Sequence, residues 1–143
     1  MDLTLHQCFI AVDDHDKALH FYVGVLGLEV RGDVSYEGMR WVTVGSPLQP
    51  DVSVVLEPPD ASPDASAADR ESLNRLLAKG LLRGAIFATP DCDALAARVR
   101  EAGYDLLQDP TDQPYGVRDC ALRDPAGNLL RFMERPARAE RTA

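Results

Sequence analysis

The chain has 143 residues, 45% of them apolar and 27% charged, which is the composition of one soluble globular domain rather than a disordered segment. A formal charge of −8 argues against nucleic-acid backbones and anionic membrane surfaces as partners. No apolar run approaches the roughly 20 residues of a membrane helix, and the acidic start Met1-Asp2-Leu3-Thr4 does not read as a signal peptide, so the expected location is cytoplasmic.

In chain order, residues 5–12 read as a strand and 14–26 as a helix. The acidic cluster Asp13–Asp16 suits the helix start, and Gly27 supplies a stop. Three strands follow, at 28–34, 39–45 and 51–57, with Gly38 and the 45–50 stretch as turns. Residues 58–65 are rich in Pro, Ser and Asp and read as a surface loop. Ser66-Ala67-Ala68-Asp69 has the form of a capping box and opens a helix that ends near Lys79-Gly80. A strand over 84–89, a helix over 91–102 and a strand over 104–108 come next. Strands at 117–123 and 128–134 close the series, joined by the turn Asp124-Pro125-Ala126-Gly127-Asn128, and the tail 136–143 reads as frayed.

The order repeats. Phe9-Ile10-Ala11-Val12 leads into Asp14-x-Asp16, and Ile86-Phe87-Ala88-Thr89 leads into Asp91-x-Asp93, at a constant offset of 77. Two β-α-β-β-β modules are therefore expected, about 5–57 and 84–134, joined by a loop and helix over 58–80 within a single domain 1–135. The fold class is α+β: a curved, mostly antiparallel sheet cup with helices on its convex face and a concave face suited to a small molecule. Cys8, Cys92 and Cys120 form no C-x-x-C pair and are odd in number, so reduced thiols acting as small hydrophobes are expected rather than a disulfide framework.

Two motifs carry a family resemblance. The first is Val12-Asp13-Asp14-x-Asp16-Lys17-Ala18-Leu19-His20-Phe21-Tyr22 with Val25-Leu26-Gly27-Leu28. The second is Tyr115-Gly116-Val117-Arg118-Asp119 with Asp124-Pro125-Ala126-Gly127-Asn128. Over residues 5–135 the chain resembles the vicinal oxygen chelate superfamily, which includes glyoxalase I, extradiol dioxygenases, fosfomycin-resistance enzymes and bleomycin-binding proteins. The resemblance implies a divalent metal held by first-strand histidines and last-strand glutamates. It places those positions here at Gln7, Val54, Gly84 and Arg131. Gly and Val offer no donor, and a guanidinium repels a cation, so no metal or other cofactor is expected. An atypical metal site on Gln7 and Glu57 is the alternative. A set built on His6, Glu57 and Glu134 fails on alternation, because His6 falls opposite Gln7 and the two glutamates read as polar strand ends.

Without a metal, the lining of the cup decides the function. Alternation places Gln7, Phe9 and Ala11, Ile86 and Ala88, and Leu129, Arg131 and Met133 on the inner face. Tyr36, Met39, Trp41 and Tyr115 border its opening and could stack on a flat ligand. Arg131 requires an acidic partner, with Asp119 and Glu37 as candidates, and Arg118 with Asp119 reads as a surface ion pair on a turn. The expected function is metal-independent binding of a bulky aromatic antibiotic or metabolite, with antibiotic resistance through sequestration, by a protein that the resemblance makes a homodimer. The alternative is a metal-dependent isomerase, lyase or dioxygenase acting on vicinal oxygens. The catalytic residues of such an enzyme are not identified, because no P-loop, G-x-S-x-G or H-E-x-x-H pattern occurs.

Overall fold

Asp14 and Asp91 open the helices of the two modules with the same bond. Each stands in extended backbone ahead of its helix and accepts from the backbone N–H three residues on, Lys17 N at 3.0 Å and Ala94 N at 3.0 Å. The matched caps confirm the repeat that the offset predicts. A computed structural model of the chain describes residues 1–136; all of the predicted tail 136–143 except Pro136 lies outside the described residues.

By internal contacts the chain forms two compact units. Unit 1 is Met1–Gly84 together with the turn Asp124–Asn128. Unit 2 is Ala85–Arg123 with the strand that begins at Leu129.

In unit 1, β1 (Gln7–Ala11), β2 (Glu29–Tyr36), β3 (Met39–Gly45) and β4 (Ser53–Glu57) form one mixed sheet in the order β1-β4-β3-β2. The β1–β4 pairing is parallel and the other two are antiparallel. The expected helix over 14–26 is α1 (His15–Leu19) running straight into a π-helical segment, His20–Val25. There Leu26 N reaches back to the Phe21 carbonyl, a five-residue step that widens the helix. The β2–β3 hairpin closes through Glu37 and Gly38, both with positive φ (49° and 77°), the geometry that matches strand twist. The capping box opening α2 (Ala67–Ala78) forms as read: Asp69 N donates to Ser66 Oγ and Ser66 N to Asp69 Oδ2.

Alternation divides this sheet into two faces. Ile10, Val42, Val44, Val54 and Leu56 point to the covered side and, with Phe21, Tyr22 and Val25, form the core of unit 1. Phe21 and Tyr22 meet edge to face at 5.2 Å. The other side stays open. An arginine fixes one end of the sheet: Arg31 donates to the Val52, Ser46 and Gln49 carbonyls and to Ser53 Oγ at 2.7 to 3.2 Å. Its guanidinium lies against Gly45, where an added Cβ would sit 2.3 Å from Nη1. Gly45→Ala is therefore expected to expel the guanidinium and cost about 2 kcal/mol, the loss of several charge-assisted bonds offset by water. The urea midpoint of the variant measures this, and a shift under about 0.5 kcal/mol would refute the arginine's role.

In unit 2, β5 (Arg83–Thr89), β6 (Leu106–Asp112), β7 (Arg118–Arg123) and β8 (Leu129–Glu134) repeat the order as β5-β8-β7-β6. β6 runs to Asp112, four residues beyond the predicted end, because register shifts around Gln108–Thr111 accommodate Pro110 without a ladder donor. α3 (Cys92–Glu101) packs on β6, β7 and β8, ending before Gly103 at φ 91°. Its face of the sheet holds Cys120, Leu122, Leu130 and Phe132, with Phe87 stacked on Phe132 at 5.5 Å. The predicted α+β fold of two β-α-β-β-β modules thus holds, as two four-stranded mixed sheets, each with one face covered.

Candidate functional site

The residues predicted to line a ligand site fall on the open faces of the two sheets. In unit 1, Gln7 and Phe9 on β1, Trp41 and Met39 on β3 and Tyr36 on β2 share one side. The registers Phe9↔Val55↔Thr43, Val34↔Trp41 and Tyr36↔Met39 fix this. Phe9 and Tyr36 are about two-thirds exposed (61% and 66%), far above what strand aromatics on a covered face show. Met39 also borders a polar cleft of about 370 Å³ with Asp13, His15, Glu37 and Asp60. In unit 2, Ile86 on β5, Arg131 and Met133 on β8, and Tyr115 in the β6–β7 loop gather on or beside the open face.

The polar centre of the unit 2 face is a carboxylate. Asp119 on β7 is 2% exposed and lies on the same side as Arg131, since Asp119 pairs with Met133 and Ala121 with Arg131. Its Oδ1 accepts from Gln108 Nε2 and Gln113 Nε2, both at 2.9 Å. Its Oδ2 accepts from Tyr115 OH and Arg131 Nη1, both at 3.2 Å. Arg131 Nη1 also donates to Gln108 Oε1 at 3.1 Å. Burial by itself would push the Asp119 carboxyl up, but the Gln113 and Gln108 donors and the Arg131 charge hold it below the usual carboxylate range. Burial first, and then the Asp119 charge, raises the Tyr115 phenol, which stays protonated as a donor.

Of the two candidate partners for Arg131, the structure selects Asp119. The predicted Arg118–Asp119 surface pair does not form. Adjacent strand residues point to opposite faces, so Arg118 turns to the helix side and bonds Asp93 at 2.9 Å and Asp112 at 3.3 Å. Gln108 and Gln113 were not anticipated. They come from β6 and the loop after it, and only the cross-strand register brings them to Asp119.

The predicted counterpart of Arg131, Val54, is a second correction. Val54 lies on the covered face with Leu56, whereas Arg131 lies on the open one between covered Leu130 and Phe132. The offset of 77 holds at the helix caps and slips by one residue before the last strand, which reverses the face of every side chain there. On β4 the side chains on the Gln7 and Phe9 side of the sheet are buried Ser53 and Val55 and half-buried Glu57. Glu57 therefore faces the same side as Gln7, yet it pairs opposite Ala11 while Gln7 pairs opposite Ser53. Four residues along a strand is about 13 Å, too far for two donors that must both lie about 2 Å from one ion. The atypical Gln7–Glu57 site is not assembled.

Nor do the positions implied for a metal fit one: Gln7 is exposed, Gly84 has no donor, and Arg131 is a cation held by a carboxylate. Among the described residues, Asp91, Asp93 and Glu134 have ligand atoms within 4.8 Å of one another. All three are already engaged, since Asp91 caps α3, Asp93 pairs with Arg118, and Glu134 accepts from Cys92 N at 3.0 Å. The three cysteines are unpaired, and burial pushes the Cys120 thiol up to about 12, so it behaves as an inert core group.

The turn Asp124–Asn128 explains the second sequence motif. Asp124 Oδ1 accepts from the backbone N–H groups of Ala126, Gly127 and Asn128 at 2.9 to 3.0 Å. Asn128 Nδ2 donates to the Ala11 carbonyl at 2.6 Å, tying the turn to the end of β1. Gly127 has φ 113°, and a Cβ there would sit 2.6 Å from the Leu77 carbonyl, so no other residue fits. With this turn, the paired N-caps and two β-α-β-β-β sheets in place, the sequence matches the model of the Glyoxalase/Bleomycin resistance protein/Dioxygenase superfamily over residues 4–132. The chain belongs to that superfamily. Among solved structures it is similar to UcmS2, with 30% identity, a TM-score of 0.84, and coverage of 94% of this chain and 100% of the other. It is also similar to TnmS3, an antibiotic binding protein from Streptomyces sp. CB03234, at 28% identity and a TM-score of 0.71, covering 95% and 98%. The uncharacterized protein YurT of Bacillus subtilis (strain 168) is 29% identical over 126 residues, 88% of this chain and 94% of its own. Superfamily membership accounts for the fold.

Proposed function

We propose that this superfamily member binds an organic small molecule without an obligatory metal, and that the ligand is a bulky aromatic antibiotic or metabolite which the protein sequesters. The observation that carries the reading is Arg131: a guanidinium, clamped by Asp119, at the position where the superfamily resemblance implies a metal-binding carboxylate. Apolar and aromatic side chains on the open faces supply stacking and contact area, with exposed Phe9 and Tyr36 and half-buried Trp41 on one sheet, and exposed Ile86 and Tyr115 and half-buried Met133 on or beside the other. The likeness to TnmS3 supports an antibiotic as the ligand class. In this reading the protein acts as a homodimer in the reducing cytoplasm, where unpaired thiols persist.

The test is calorimetric. Metal-stripped protein titrated with Ni²⁺, Zn²⁺, Mn²⁺ and anaerobic Fe²⁺ is expected to show only weak surface association, and a polycyclic aromatic antibiotic is expected to bind the same preparation. Arg131→Ala should weaken that binding about tenfold or more, the worth of one charge-assisted hydrogen bond, while the fold persists. One tight metal site per chain would overturn the reading in favour of a metal-dependent isomerase, lyase or dioxygenase. Sedimentation velocity on that preparation reports the dimer.

A further inference from the structure

We infer that Arg131 recognises a carboxylate on an otherwise apolar ligand; this rests on the reading of the unit 2 open face as a ligand face. A guanidinium has five N–H donors in a rigid planar fork. Both hydrogens of Nη1 are spent, one on Gln108 Oε1 at 3.1 Å and one on Asp119 Oδ2 at 3.2 Å. Among the described residues nothing accepts from Nε or Nη2, and the side chain retains 34% exposure. Nε–H and one Nη2–H lie parallel on the same edge of the plane. That edge is the one that takes the two oxygens of a carboxylate side by side.

The surrounding groups narrow the choice. Asp119 accepts from four donors, which fills the four lone-pair sites of a carboxylate, so it offers nothing further to a ligand. The network therefore immobilises the guanidinium and leaves its free edge as the available donor pair. Two parallel donors require two acceptors. An amide would bring one acceptor and one N–H that faces a donor, and a phenolate brings a single oxygen. Ile86 (68% exposed) and Met133 on the same face add an apolar surface for the rest of the molecule. The chain's charge of −8 opposes an anion at long range, but that field is screened beyond about 8 Å at 0.15 M salt, whereas the bidentate contact is not.

The probes are 2-naphthoate and 2-naphthamide, matched in ring and differing in the second oxygen. Both are titrated at 0.15 M salt and pH 7 into ¹⁵N-labelled full-length protein. The readouts are the backbone amides and the Arg131 Nε–H resonance, identified by its loss in Arg131→Lys. The expected result is that 2-naphthoate shifts that resonance and binds at least tenfold tighter than the amide. Arg131→Lys and Arg131→Gln, each checked for an unchanged circular dichroism spectrum, should both lose that preference. Equal affinity for acid and amide, with shifts at β8, would overturn the carboxylate assignment and leave the ligand face standing. Shifts confined to unit 1, or no binding of either probe, would overturn the assignment and count against the face itself.

Discussion

Asp124→Ala is expected to destabilise the protein by about 3–5 kcal/mol, the range for removing one member of a buried, charged hydrogen-bond network. The carboxylate is 4% exposed and accepts five bonds. Three come from the backbone of its own turn. The others come from Asn128 Nδ2 at 2.9 Å and from the hydroxyl of Tyr22, 102 residues away in sequence, at 2.6 Å. Burial first, and the Asp124 charge second, drive the Tyr22 hydroxyl far above the ordinary phenol range, so it serves only as a donor. Deleting the carboxylate takes an acceptor from all five donors. Gly127 N keeps the Asp124 carbonyl and Asn128 Nδ2 keeps the Ala11 carbonyl, while the Ala126 and Asn128 backbone N–H groups and the Tyr22 hydroxyl lose their acceptor in a buried site. Asp124→Asn should cost nearly as much, because its amide N–H₂ must face donors on one side or the other. Tyr22→Phe should cost less, about 1.5–3 kcal/mol, since it removes one bond to a charged acceptor. Urea unfolding followed by Trp41 fluorescence ranks the three. A loss under about 1 kcal/mol for Asp124→Ala would show that the turn is not a structural latch.

Asp119→Asn should lower stability by about 2–3 kcal/mol at pH 7. Breaking a buried pair costs about 3–5 kcal/mol, and the figure is discounted here because the Arg131 partner is 34% exposed and solvent compensates it. The amide cannot accept from all of Gln108, Gln113, Tyr115 and Arg131, so at least one donor loses its partner. A pH dependence separates this from a packing defect. The Asp119 carboxyl is held below its unfolded value of about 3.9, so the folded state binds the proton less readily than the unfolded one. Its contribution is therefore complete above that value and disappears as pH falls through the lower folded value. The difference between wild type and Asp119→Asn should be constant from pH 7 to about 5 and shrink below about 4. Urea midpoints across that range measure it, and a gap that persists undiminished to pH 3 would exclude the carboxylate charge as its source.

The same two carboxylates show how far the sequence could be read. Asp124 sits in a motif whose meaning is local: an Asx-type turn, a glycine with positive φ, and an asparagine four residues on. The capping box at Ser66 and the twin caps at Asp14 and Asp91 are local in the same sense. The backbone bonds of each are satisfied within a few residues, so spacing determined them, whereas the Tyr22 bond to Asp124 and the Asn128 bond to Ala11 are long-range and were not legible. The α+β class, the repeated module and the open-face alternation of Phe9, Ile86 and Met133 followed from those signals together with period-two patterning.

Tertiary structure alone decided the rest. The repeat offset predicted Val54 opposite Arg131 because the caps share it, but a shift of one residue before the last strand put the valine in the core and the arginine in the open. Asp119 drew its partners from β6, from the loop beyond it and from β8, and the sequence offered Arg118 as a nearer and equally plausible ion pair. Sequence determined which residues cap, turn and alternate, since those properties depend on the backbone within reach. Which donors meet which acceptors depends on strand register, and register is fixed by burial of a whole face at once.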